Sequence, residues 1–396
     1  MNALIFIAAA VLLFIISGKV YAGYIAKKLG EDPEHPTPAV TINDSRDYVP
    51  TKSYIVFAHH FSAIAGAGPI IGPTMAVLYG LVPAWLWVVF GGIFIGAVHD
   101  FTVLFVSIRE GGKSIAEVAR KTLGKSGFNL FISFTILMLI LVTSSFLSAT
   151  AISLTSLWPL AKLGVTGGDT ILHTVVKNGI VYGRIGGIAS TSVIFITFMS
   201  PMLGWLIYRK GIKTIIAYIL ASLICVVSVI LGILFPVSLS PTIWMIIISV
   251  YVLIASGTPV WFILQPRDFI NVQILYAGII LMAVSLLIAG FSGVSISMPN
   301  YNLTEGANSL GAIWPMMFIT IACGAISGFH SLVAGGTTCK QLANEKDARK
   351  IGFNAMLLES VLAVCVILAI GVGLNFVDYK AIVWPSDPAV KSNPIL

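Results

Sequence analysis

Residues 54–76 read YIVFAHHFSAIAGAGPIIGPTMA, an apolar run long enough to cross a bilayer yet broken by its own residues. Gly66, Gly68, Pro69, Gly72 and Pro73 crowd its second half. Each proline removes a backbone donor, so no regular helix runs through all of them. The spacing predicts a helix interrupted near Gly66–Gly68 and restarted at Pro69, where proline suits a first turn. In lipid, the freed backbone groups must line a cavity held by protein or water. The restarted half-helix would aim its first amides at the middle of the bilayer and favour an anion there. The plainer alternative is a glycine-lined surface for a neighbouring helix.

The rest of the 396-residue chain fits a membrane setting. Hydrophobic residues make up 57% and charged residues 10%, with a mean hydropathy of +0.97. Soluble domains carry about 25% charged residues, and one of this size could not hide so much apolar surface. About ten apolar segments are long enough to span: 3–22, 54–76, 82–107, 128–150, 187–208, 214–236, 242–265, 270–290, 312–334 and 353–374. Each is expected to be a helix, because lipid offers the backbone no other partner. The first lacks the basic leader and cleavage site of a signal peptide.

Lys and Arg set the direction. The stretches 108–125, 209–213 and 340–350 are basic and fall on one side, together with Lys27, Lys28, Arg46, Lys52 and Arg267. The other side has Lys162, Lys177, Arg184, Lys380 and Lys391. The positive-inside rule puts the first side in the cytoplasm and both termini outside. The net charge of +7 is spread over short loops and makes no nucleic-acid patch. Residues 23–53 read as a cytoplasmic loop, and 151–186 as an outside loop with a partly inserted piece. Residues 113–123 read as a short amphipathic helix on the inner surface, or an ordinary connector. Cys225, Cys323, Cys339 and Cys365 show no metal-like spacing and read as small hydrophobes.

Residues 242–265 carry Ser256-Gly257-Thr258-Pro259 inside a second apolar run. Two interrupted helices about five spans apart, running in opposite directions, are the signature of an inverted five-plus-five repeat. Segment 3–22 is then a peripheral extra helix. Residues 54–236 form a first repeat and 242–374 a second, one span short, within a single domain over 1–396.

The ionisable groups inside these segments are few. His60-Phe61-Ser62-Ala63-Ile64-Ala65-Gly66 echoes Phe329-His330-Ser331-Leu332-Val333-Ala334-Gly335. Imidazole in an apolar helix is costly unless it faces a cavity or a partner. In a five-plus-five core, 54–76 and 312–334 would be neighbours, bringing His59 or His60 towards His330 and Ser331, beside Thr337 and Thr338. Asp100, next to His99, lies about two turns from its helix end and is a proton-relay candidate. A structural hydrogen bond is its alternative reading. Glu359, one turn into its segment, reads as interfacial. His59 and His60 diverge by about 100° on a helix, which disfavours a shared metal. No phosphate-binding loop is present.

The runs FAHHFSAIAGAGPIIGP (57–73), PAWLWVVFGGIFIGAVHDF (83–101), SIREGGKSIAEVAR (107–120), ASGTPVWFILQPRDF (255–269) and GFHSLVAGGTTCKQ (328–341) closely resemble the carbon starvation protein A family. The resemblance implies an all-α polytopic protein of the inner membrane. Its core would be leucine-transporter-like, similar to the amino acid–polyamine–organocation superfamily. It implies a secondary carrier, not an enzyme, importing peptides in carbon-starved cells. Close relatives import pyruvate, which is the alternative substrate; a starvation sensor or channel is a lower alternative. Expected substrate-binding residues are Gly66, Gly68, Pro69, Ile70, Ser256, Gly257 and Thr258. Expected coupling residues are His59, His60, Ser62, Asp100, His330, Ser331, Thr337 and Thr338. The coupling ion is expected to be a proton, with sodium as the alternative, and neither a metal nor a cofactor is expected.

Overall fold

The computed structural model describes residues 2–163 and 170–383. These form two compact units, residues 2–131 with 275–383 and residues 132–163 with 170–274. The boundaries between them fall inside long helices. The protein is helical and membrane-spanning. Among the described residues, seven helices are long and apolar enough to cross a membrane, or eight when one bent pair counts as a single span.

Helix α1 (Ala3–Leu29) is capped by the Asn2 side chain, which accepts from the Leu4 amide. It stops at Gly30, whose φ of 74° is the left-handed conformation of a helix end. The interruption in residues 54–76 is where the glycines and prolines place it. Helix α2 (Ser53–Ile64) ends, Ala65–Ala67 leave the helix, and α3 (Gly68–Ala76) restarts with Pro69 in its first turn. The chain bends there by 45°. Helix α4 (Leu81–Arg109) follows and carries a wide π-helical stretch at Trp87–Gly96.

Helix α5 (Ile115–Leu154) breaks direction at Gly124, where φ is 69°. A short helix therefore precedes the apolar span, as the 113–123 pattern suggested. Along the span Leu130, Phe134, Leu137, Ile140 and Leu141 stand exposed, a surface suited to lipid. Among the described residues, 151–186 hold one short 3-10 turn, Leu160–Leu163. They carry the end of α5 and a small antiparallel sheet of order β1-β3-β2, formed by β1 (Trp158–Pro159), β2 (Thr174–Lys177) and β3 (Ile180–Gly183). Asn178-Gly179, both at positive φ, make the tight turn between β2 and β3. Gly167 and Gly168 of this loop lie outside the described residues.

Helices α6 (Ile185–Tyr208) and α7 (Thr214–Leu234) pack through small residues, with the Ser192 hydroxyl donating to Ser228 O at 3.0 Å. Residues 242–265 are not one interrupted span. Helix α8 (Pro241–Gly257) ends, the chain turns over 258–263, and α9 (Leu264–Phe291) begins. Pro259 lies just past the helix end, where it cannot continue it, so Ser256–Pro259 is a stop signal.

The second interrupted segment is instead 312–334, expected as one helix. After α10 (Leu303–Leu310) it divides into α11 (Ile313–Thr320), α12 (Ala322–Ala325) and α13 (Gly328–Gly336). The helix is lost at Ile321 and at the extended Ile326–Ser327. Close packing on backbone accompanies these breaks. A Cβ on Gly72 would lie 2.3 Å from Thr320 O, and one on Gly96 would lie 2.2 Å from Ala325 O. The interrupted segments α2–α3 and α11–α13 thus meet at glycines. Helices α14 (Arg349–Gly373) and α15 (Phe376–Val383) complete the first unit.

Candidate functional site

Four helices of the first unit bring titratable side chains together. Helix α4 supplies Asp100, α13 supplies His330, α14 supplies Glu359, and α2 supplies His59 and His60. Asp100, His330, Glu359 and His60 are fully buried, and His59 is 2% exposed. Glycine allows the close crossings. A Cβ on Gly352, at the start of α14, would lie 2.8 Å from Phe101 Cα and 3.0 Å from Asp100 O. A Cβ on Gly335 of α13 would lie 3.0 Å from Ser107 Oγ on α4.

His330 is the centre of the cluster. Its Nδ1–H donates to Asp100 Oδ2 at 2.7 Å, and its Nε2 lies 3.2 Å from Glu359 Oε2. The second contact is close but lacks hydrogen-bond geometry: neither Glu359 oxygen has a partner that meets it. The other Asp100 oxygen accepts from His99 Nδ1 at 2.8 Å. His60 Nδ1 stands 2.9 Å from Thr338 Oγ1, and His59 Nε2 stands 3.4 Å from Thr337 Oγ1. Two of the expected residues stand apart from these contacts. Ser331 Oγ donates to Gly328 O on its own helix, and Ser62 is half-buried on α2. Glu359, expected near an interface, is fully buried in the first unit. Its helix starts at Arg349, so Glu359 lies about three turns in, covered by the helices packed on α14.

At the α2–α3 break, the amides of Ile70 and Ile71 donate to Ala67 O at 3.1 and 2.9 Å. Among the described residues, no backbone acceptor takes the N–H of Ala67 or Gly68. Pro69 has none to give. Cys323, half-buried, abuts the break: a Cβ on Gly68 would lie 2.5 Å from its Sγ. Ser256, Gly257 and Thr258 lie in the second unit. The Ser256 and Thr258 hydroxyls donate to Leu253 O and Ala255 O of their own helix.

One end of the first unit is tied by a second polar network. Arg109 Nε and Nη2 donate to Glu345 Oε2 and Oε1 at 2.6 and 2.8 Å, and Glu345 is fully buried. The same carboxylate accepts from the Asp32 amide at 2.8 Å. Among the described residues, no group of three His, Cys, Asp or Glu is arranged to hold a metal ion.

Fold and site define a polytopic helical membrane protein with a buried acid–imidazole cluster beside interrupted helices. The chain belongs to the family described as carbon starvation protein CstA, which matches residues 2–392. It is 34% identical over 378 residues to a peptide transporter, CstA, of Campylobacter jejuni, covering 93% of this chain and 50% of that protein. It is 34% identical over 381 residues to the pyruvate/proton symporter BtsT of Escherichia coli K12, covering 95% and 50%. The peptide transporter CstA of Bacillus subtilis is 33% identical over 393 residues, covering 96% and 60%. The chain thus spans about half the length of the curated relatives it matches. No solved structure matches it.

Proposed function

We propose that this chain forms a secondary carrier of the inner membrane that imports peptides and is driven by protons. The observation that carries the reading is the buried Asp100–His330–Glu359 set. Ionisable groups inside a membrane core are costly and mark ion or proton pathways. Imidazole titrates between about pH 5 and 8, so its charge can change within one cycle. A substrate carboxylate taken up with one proton also crosses without net charge, avoiding about 2.3 kcal/mol per 100 mV of membrane potential.

The free amides of Ala67 and Gly68 are assigned to the substrate carboxylate, with Gly66, Pro69 and Ile70 shaping the break around it. Ser256, Gly257 and Thr258 are left out of this proposed site: they end α8 in the second unit, with the Ser256 and Thr258 hydroxyls donating to their own helix. The basic stretches 108–125 and 340–350 are placed in the cytoplasm. An inverted-repeat core with α1 outside it is part of the proposal. Its support is the family resemblance, since α2–α3 and α11–α13 stand more than five spans apart.

Pyruvate is the second reading, favoured by the relative named a pyruvate/proton symporter. The test is uptake of labelled dialanine and labelled pyruvate into proteoliposomes holding the purified protein. Accumulation of one of them when the outside is acidic supports the reading and names the substrate. Accumulation driven by sodium alone at constant pH would refute proton coupling.

A further inference from the structure

We infer that Glu359 is the residue that carries the coupling proton, and that Asp100 is a positioning residue holding His330 against it. This rests on the proton-coupled reading above and goes further by giving two buried acids different tasks.

The difference is in their partners. Asp100 is satisfied as an anion, with one oxygen accepting from His330 Nδ1 at 2.7 Å and the other from His99 Nδ1 at 2.8 Å. Glu359 is equally buried but receives no well-aligned donor at either oxygen. An anion so placed would forfeit its hydration without hydrogen bonds in return, whereas the neutral acid forfeits far less. With Nδ1–H committed to Asp100, neutral His330 presents the lone pair of Nε2, also unpartnered, at 3.2 Å from Glu359 Oε2. A small rotation of the carboxyl group lines up the transfer. The Oε2–H bond breaks and the Nε2–H bond forms. The result is an imidazolium between two carboxylates, with no other bond changed. The proton comes from water and returns to it.

The surroundings of Glu359 fit this exchange. Helix α4 faces it with Asp100, α13 with His330 and α12 with the Cys323 thiol. Helix α2 packs on α14 and carries His59 and His60. On α1, Lys19 lines the groove beside Leu358 but is exposed. No fixed cation among the described residues therefore neutralises Glu359 in place of a proton. Cys323 also abuts the α2–α3 break at Gly68, and its short helix α12 packs on α14, which carries Glu359.

The experiment uses Glu359→Gln in proteoliposomes with whichever of labelled dialanine and pyruvate the wild type accumulates. Accumulation driven by a pH gradient is expected to fall about tenfold or more. Exchange of internal for external substrate should stay within about twofold of wild type and lose its dependence on pH. Normal gradient-driven accumulation in Glu359→Gln overturns the inference. So does loss of exchange in a variant that keeps its thermal stability, which would make Glu359 a packing or binding residue. If Glu359→Gln does not fold, Glu359→Asp keeps the acid one methylene shorter. It should retain accumulation with a displaced pH profile, and an unmoved profile overturns the inference. Asp100→Asn should displace the pH profile of exchange, and Asp100→Glu should partly restore it. A wild type indifferent to the pH gradient would instead defeat the proton-coupled reading itself.

Discussion

The two units bury different kinds of polar group. In the first, His59, His60, Asp100, His330, Glu345 and Glu359 are all buried. In the second, the buried polar residues among those described are hydroxyls and an amide, plus Asp268, which Arg267 holds at 2.9 Å. Ser190 donates to Leu154 O and Ser228 to Cys225 O, within 2.8 Å in both cases. Such bonds fasten helices to each other or to their own turns, and each is cheap to lose. Buried acids and imidazoles oppose folding, so their concentration in one unit points to the chemistry that retains them. Two settings of glycine cut across the units. Glycine admits neighbouring backbone in both, at Gly72 and Gly96 of the first and at Gly186 and Gly232 of the second, whereas Gly257 at the end of α8 faces open space.

The largest effect should come from Gly96. A side chain there meets the Ala325 carbonyl, which is backbone and cannot swing aside. Gly96→Val is expected to lose at least about 3 kcal/mol and yield little monodisperse protein on size-exclusion chromatography. Gly257→Ala in the second unit meets nothing within 4 Å and should purify like wild type. If Gly257→Ala fails as badly as Gly96→Val, the contrast between packed and open glycines collapses.

Legibility in the sequence follows the same division. The α2–α3 break was readable because Gly66, Gly68, Pro69 and Pro73 act on their own backbone. The α11–α13 breaks were not, because Ile321, Ile326 and Ser327 are ordinary helix residues, and the helix is lost where Thr320–Ala325 press against Gly68, Gly72 and Gly96 of other segments. Ser256–Pro259 carried true breaker residues, but composition alone does not say whether a breaker sits within a span or at its end. Asp100 and the histidines stood out as charges in apolar runs. That His330, not Ser331, meets the acid depends on which face of α13 turns inward. The burial of Glu359 depends on the helices that pack on α14, which its own run does not reveal.

Next in size is Arg109→Met. It would strand the buried Glu345 with the Asp32 amide and no guanidinium. Losing one partner of a buried ion pair costs about 3–5 kcal/mol. The lower end applies because the Arg109 side chain is 35% exposed. The apparent Tm in detergent should drop clearly. In the second unit, Ser192→Ala removes one bond between helices and should cost about 0.6 kcal/mol. Equal losses in the two variants would mean that the Arg109–Glu345 tie holds nothing.

The smallest effect belongs to the exposed ion pair near that tie, and its sign can be fixed in advance. Lys121 Nζ donates to both oxygens of Glu110 at 2.8 and 2.9 Å, in solvent. That hydrogen bond holds the Glu110 carboxyl below its ordinary 4.5, and the Lys113 charge adds to it. A carboxyl with a depressed folded pKa contributes stability above its unfolded value and loses it as pH falls through the folded one. Lys121→Met should therefore lie slightly below wild type at pH 7 and converge with it well below pH 4.5. Because both groups sit in water, salt should also erase the gap. Thermal melts at pH 7 and at acid pH, in low and high salt, read this directly. A deficit that widens as pH falls, or that survives high salt, would show that Lys121 acts through packing. The contrast between buried and solvated charge in the first unit would then need redrawing.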